Sequence, residues 1–208
     1  ADGIKVADPY SPLVLSPYDD PYINQNAMVY PNLPAYPAGQ SFEVSVIQTA
    51  KPAYPWVVTN FNKPAKENLI VYELLVRDFT TQKTWQSLID KIPYLKSLKI
   101  NVIELMPVME FDGNNSWGYN TGFHYALDKA YGTPEKFKEF IDLCHQNGIA
   151  VILDIALNHA TGRSPIERMW MVDPDGDGFG DPAADNPYFN QVARHSYSVF
   201  NDFNHSKA

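Results

Sequence analysis

The chain has a single cysteine, no run of Lys or Arg, and no apolar stretch near the roughly 18–20 residues that a membrane-spanning helix requires. One thiol excludes an internal disulfide, and the apolar helical neighbours of Cys144 make it a small core residue, which leaves the redox compartment open. With 24 acidic against 16 basic residues, the formal charge of -8 offers no cationic surface for nucleic acid or an anionic membrane. A neutral substrate suits such a surface better. The N-terminus lacks the basic and apolar regions of a signal peptide, as a mature or trimmed chain also would. The first predicted strand is followed by Val76-Arg77-Asp78-Phe79-Thr80 rather than a glycine-rich turn. The phosphate cradle of a dinucleotide- or nucleotide-binding protein is therefore missing, and no organic cofactor is expected.

Proline and tyrosine are abundant, but unevenly placed. Ten of the 17 prolines and six of the 13 tyrosines precede Lys66, in segments such as Tyr30-Pro31-Asn32-Leu33-Pro34-Ala35-Tyr36-Pro37. Proline removes a backbone donor and pushes the preceding residue toward extended geometry, so residues 1–66 should form an irregular wrap with one strand at Phe42 to Gln48. Its aromatics favour a segment docked on a neighbouring domain over a disordered tail.

From residue 67 onward the pattern alternates. Leu69 to Val76 and Asn101 to Met106 read as buried strands, with a helix between them from Thr84 to Lys99 that Pro93 starts or kinks. Thr133 caps a second helix opening at Pro134, with Phe137, Phe140, Ile141 and Cys144 on one face and Gly148 ending it. A third strand follows at once. Fully apolar strands alternating with helices imply an α/β fold with parallel pairing, as a barrel or an open sheet.

The third strand, Val151-Ile152-Leu153-Asp154-Ile155-Ala156-Leu157-Asn158-His159, ends in an acid, an amide and an imidazole. A carboxylate interrupting an apolar run must be hydrogen-bonded or charge-paired, since leaving it bare would cost several kcal/mol. Asp154 and His159 either pin the strand end or wall an active site. The loop from Pro107 to Thr133 carries Trp117, Tyr119, Phe123, His124 and Tyr125. Aromatic faces cover the C–H face of a pyranose and amides or imidazoles read its hydroxyls; Tyr119 is the candidate platform, while Trp117, Phe123 and Tyr125 read as packing of the loop and His124 as a polar loop residue.

Asp154-Ile155-Ala156-Leu157-Asn158-His159 resembles the Asp-x-x-x-Asn-His signature of the α-amylase superfamily, glycoside hydrolase family 13. Glu104-Leu105-Met106-Pro107-Val108 and the stretch from Trp117-Gly118-Tyr119-Asn120 to Tyr131-Gly132-Thr133-Pro134 are similar to its second barrel strand and following loop, most of all in branching-enzyme and pullulanase-like members. The resemblance implies the first three βα units of a (β/α)8 TIM barrel in residues 67–208, with a long loop at 160–208, and makes 1–66 the exit from a preceding β-sandwich domain. It implies Tyr119 as the ring under the sugar at the cleavage subsite, His159 as a donor to sugar hydroxyls, and Asp154 as an orienting group. Asn158 resembles a calcium ligand.

The family's mechanism is retaining, with a carboxylate nucleophile and a separate acid/base carboxyl. Its nucleophile segment, Gly-Phe-Arg-x-Asp, has no counterpart among the 208 residues. The expectation is thus a fragment of an α-glucan-active hydrolase acting on α-1,4 bonds of starch or maltodextrin, inactive alone and partnered by the rest of the barrel. The alternatives are a non-catalytic carbohydrate-binding or assembly piece, or a branching or debranching enzyme. A polysaccharide substrate favours an extracellular or periplasmic setting. Asp173-Pro174-Asp175-Gly176-Asp177-Gly178 has the first half of a calcium-loop pattern, but Ala184 replaces the bidentate Glu, leaving Asp181 or Asp185 as substitutes; a solvated turn is the alternative. Asn186 to Ala208 reads as loop.

Overall fold

The computed structural model describes residues 4–23, 28–197 and 199–207. At its centre lies a three-stranded parallel sheet of β3 (Val71–Leu74), β4 (Val102–Leu105) and β7 (Ala150–Leu153), with β4 in the middle. The register pairs Leu74 with Leu105 and Leu105 with Leu153, so the carboxyl ends of the strands are level. Val102, Ile103 and Leu105 of β4 are buried, whereas Val71 on one outer strand and Ile152 and Leu153 on the other remain exposed.

The first strand is shorter than its apolar run, because Leu75 turns the chain: its carbonyl accepts from Asp78 and Phe79, opening α1 (Val76–Phe79). The stretch read as one helix is two, α2 (Trp85–Ile89) and α3 (Ile92–Ser97). Thr84 and Ser87 cap α2 reciprocally, and Pro93 falls in the first turn of α3, where its missing N–H would have had no partner anyway. α4 (Pro134–Gln146) forms as its signals predict: the Thr133 hydroxyl accepts from the Lys136 N–H at 3.2 Å, and Gly148 at φ 75° turns the chain into β7.

These helices seal one face of the sheet. Trp85 is fully buried, with its ring centroid 4.7 Å from Phe137, 5.7 Å from Tyr131 and 6.2 Å from Phe140. Each such side chain contributes about 1.5–3 kcal/mol by leaving water. Cys144 is buried in the same cluster, and burial pushes its thiol up to about 12.

Further expectations need correction. The third strand, read as a buried run from Val151 to His159, ends at Leu153, where its pairing with β4 stops, and Ile152, Leu153, Ile155 and Leu157 are exposed. The Pro107 to Thr133 segment is not simply a loop: β5 (Met109–Phe111) and β6 (Thr121–Leu127) form an antiparallel hairpin within it. β5 is only three residues long and the register shifts twice, too brief for a period-two pattern to register. The segment after Asn186 is likewise not all loop, since β11 (Asn201–Asp202) pairs antiparallel with β8 (His159–Ala160). Between them lie α5 (Pro165–Arg168) and the pair β9 (Met171–Val172) and β10 (Asp181–Pro182).

In the proline-rich arm before residue 67, the strand expected at Phe42 to Gln48 shrinks to β2 (Val44–Ser45), paired with β1 (Val14–Leu15). The arm is tied to α4, whose Asp142 carboxylate accepts from the backbone N–H groups of Val57 and Val58 at 3.0 and 2.9 Å. Among the described residues, no helix is long and apolar enough to cross a membrane.

Candidate functional site

Asp154 directly follows β7, and its N–H still bonds the Leu105 carbonyl at 2.8 Å, which fixes it at the carboxyl end of the sheet. Tyr119 comes from the β5–β6 turn. The Asp112 N–H and the Asn120 amide close that turn, bonding the carbonyls of Asn120 and Asp112 at 3.1 and 2.8 Å. Ser116 donates to the Asn120 side chain and accepts from the Gly118 N–H at 2.9 Å. Gly118 has φ 93°, and a Cβ there would lie 2.2 Å from the Pro107 carbonyl oxygen. Only glycine lets the backbone pass this close.

The result brings together all three residues singled out for sugar contact. The Tyr119 hydroxyl donates to the Asp154 carboxylate, and this bond, with burial adding to it, pushes the phenol up to about 12. The His159 Nε2 lies 2.6 Å from the Tyr119 carbonyl oxygen. A carbonyl can only accept, so Nε2 carries the proton in that contact. The other ring nitrogen, Nδ1, is buried without a partner, and His159 itself is 5% exposed. In this geometry His159 braces the Tyr119 turn through the Tyr119 backbone carbonyl. Its ring centroid is 5.4 Å from that of Phe200.

Trp117 is exposed beside Tyr119, whereas Phe123 packs into the interior. His124 places Nε2 2.9 Å from the Ala156 carbonyl, and burial lowers its pKa, which favours the neutral ring. The carboxylates Glu73 and Glu104 lie on neighbouring strands in register with each other.

The metal expectations separate. Asp173, Asp175 and Asp177 offer oxygens within 4.8 Å of one another. Asp173 also accepts from the backbone N–H groups of Gly176 and Gly178, both at 2.8 Å, which by itself accounts for a tight turn. Asp181 is not in this cluster, because it is held in β10 opposite Val172. Asn158 is exposed, with its backbone carbonyl bonded to the Phe203 N–H at 2.9 Å.

Two buried ionic clusters escaped the sequence reading. Arg163 pairs with Asp19 and lies 3.6 Å from Glu43 and 3.8 Å from Asp112. Burial pushes Asp112 up to about 6, and Thr161 donates to it at 3.1 Å. The second cluster centres on Lys129, 1% exposed, which pairs with Glu110 and lies 3.2 Å from Asp20. Burial alone would lower Lys129, but Glu110 and Asp20 hold its ammonium above the usual range. Asp128, also buried and beside Glu110, is pushed well up. One cation cannot balance three carboxylates, and Asp128 takes its hydrogen bonds from the Phe111 and Ala130 N–H groups instead. The adjacent Asp19 and Asp20 thus join the arm to both clusters, and the hairpin that carries Tyr119 is clamped on either side. Only the doublet Asp19-Asp20 between prolines hinted at this.

The family model "Alpha amylase, catalytic domain" matches residues 58–171. A malto-oligosyltrehalose trehalohydrolase of Saccharolobus solfataricus is 39% identical over 108 residues, which are 52% of this chain and 19% of that protein. A 1,4-alpha-glucan branching enzyme of Halothermothrix orenii is 39% identical over 107 residues, covering 49% of this chain and 16% of that one. The crystal structure of a putative alpha amylase from Salmonella typhimurium superposes with a TM-score of 0.62 at 31% identity, over 88% of this chain and 28% of that one. The matches thus span about a fifth or less of the curated relatives' lengths.

Proposed function

The chain belongs to the alpha-amylase catalytic-domain family, and from that premise we propose that β3, β4 and β7 are the first three strands of a (β/α)8 barrel whose parent protein cleaves α-1,4 bonds of α-glucans. The observation that carries this reading is the Tyr119, Asp154 and His159 chain at the level carboxyl ends of parallel strands, where barrel enzymes assemble their sites. Tyr119 offers its ring to the pyranose face, Asp154 fixes the ring through its hydroxyl, and His159 holds the turn. The exposed Val71, Ile152 and Leu153 on the outer strands suit burial by further strands. The trehalohydrolase and branching enzyme among the relatives support an α-glucan substrate.

The nucleophile and the acid/base belong, on this reading, to segments outside these 208 residues. The chain by itself releases no reducing sugar from starch; release that disappears on His159→Ala would overturn that. In the intact protein, Tyr119→Ala lowers kcat/KM on maltoheptaose by about 100-fold or more, equivalent to about 2.7 kcal/mol. Unchanged kinetics would remove Tyr119 from the site. Persistent binding of maltoheptaose without any turnover would favour the non-catalytic alternative.

Calcium at Asp173, Asp175 and Asp177 is the metal reading. Three carboxylates within 4.8 Å suit a hard cation that prefers oxygen. Calorimetry with calcium should give heat that Asp175→Ala abolishes, and a flat titration would leave the loop as a hydrogen-bonded turn.

A further inference from the structure

We propose that a cavity of about 360 Å³ between β6, α5 and the proline-rich arm binds a glucosyl unit of an α-glucan chain. The inference rests on the α-glucan reading above, but it uses other residues: Tyr119, Asp154 and His159 do not line this cavity. Its mouth is formed by Tyr10 of the arm and Tyr125 of β6, 70% and 64% exposed, with ring centroids 5.2 Å apart and planes tilted by 55°. Tyr188 and Phe203 add further aromatic wall.

Three observations select the occupant. Among the described residues no carboxylate, ammonium or guanidinium group lines the cavity, and burial favours the neutral form of His124 on its wall, so a charged ligand would lose its water without compensation. Tyr188 lines the cavity half-exposed and brings a phenol hydroxyl to it. A purely apolar occupant would leave that hydroxyl unmatched, whereas a sugar hydroxyl would satisfy it. The volume is at the low end for small-ligand sites, enough for a sugar ring or two and too small for a helix. Tilted tyrosine faces with apolar surface and a hydroxyl edge suit a pyranose, which is apolar on one face and polar at its rim.

The test is calorimetric titration of the intact protein with maltoheptaose, alongside kinetics on maltotriose. Tyr10→Ala combined with Tyr125→Ala should weaken a maltoheptaose binding event at least tenfold and leave kcat on maltotriose unchanged. Both rings are largely exposed, so their loss should leave the thermal midpoint in place. Ile166→Trp, which fills the cavity with bulk, should give the same loss, and the Tyr→Phe pair should retain most of the binding. Wild-type affinity and stoichiometry in the alanine pair and in Ile166→Trp would overturn the proposal. Loss of binding in the alanine pair, together with a silent Tyr119→Ala, would keep this site and discard the Tyr119 reading. A wild-type protein that takes up no maltoheptaose would discard both.

Discussion

The central sheet and the arm wrapped around it are held by opposite means. Around β4 the contacts are aliphatic and aromatic, nondirectional, and made by residues that repeat every few positions, such as Phe137, Phe140 and Cys144 on α4. The arm has few apolar anchors, chiefly Ala7, Leu13, Val14, Leu15 and Ile23, and docks through Asp19, Asp20 and Glu43 onto Arg163 and Lys129. An apolar core loses stability in proportion to the volume removed, and its neighbours can relax. A buried ionic cluster has no such gradation, since removing one member strands the others in a medium that solvates them poorly.

The sharpest way to break this contrast is Lys129→Met, which keeps the bulk and deletes the charge. It should destabilise the protein by about 3–5 kcal/mol in chemical denaturation, because Glu110 and Asp20 lose their cation. A loss below about 1 kcal/mol would mean that the cluster is already neutral and the contrast false. Restoring balance with Glu110→Leu beside Lys129→Met should recover much of that loss.

A second prediction concerns Glu167, a fully buried residue of α5, where Asn201 donates to one oxygen at 2.6 Å and the other has no partner. Burial raises its pKa from 4.5 to about 8. Between those values the unfolded chain gives up the proton while the folded chain keeps it. The stabilisation is complete below pH 4.5 and declines as pH rises toward 8, by at most about 1.4 kcal/mol per pH unit. Denaturation midpoints measured from pH 5 to 8 should fall, and Glu167→Gln should flatten that slope. The smallest effect is expected at Thr133→Ala, which removes one cap from α4 and costs about 1 kcal/mol by the same assay.

This division also decides what could be read from the residues alone. The first two strands, the start of the third, α4 with both its caps, and the meeting of Tyr119, Asp154 and His159 follow from local pattern and a short signature; the third strand stops at Leu153 because its partner β4 ends at Leu105. The β5–β6 hairpin was missed because its first strand is too brief to show alternation. The ionic clusters were missed for a different reason: Arg163 and Asp19 are 144 positions apart, and nothing local distinguishes a carboxylate that will be buried from one that will face water. The orientation of His159 was hidden as well, because its partner is a backbone carbonyl, which every residue possesses.

Gly118 carries the lesson furthest. It offers no side chain to any ligand, yet the turn that aims Tyr119 needs its φ of 93° and the bare space against Pro107. The aromatic ring could be exchanged for another ring with a graded loss, but any methyl at the neighbouring position would re-aim the whole turn. Substitutional tolerance in this turn should therefore be lowest at Gly118, and engineering that varies Tyr119 must leave the position before it untouched.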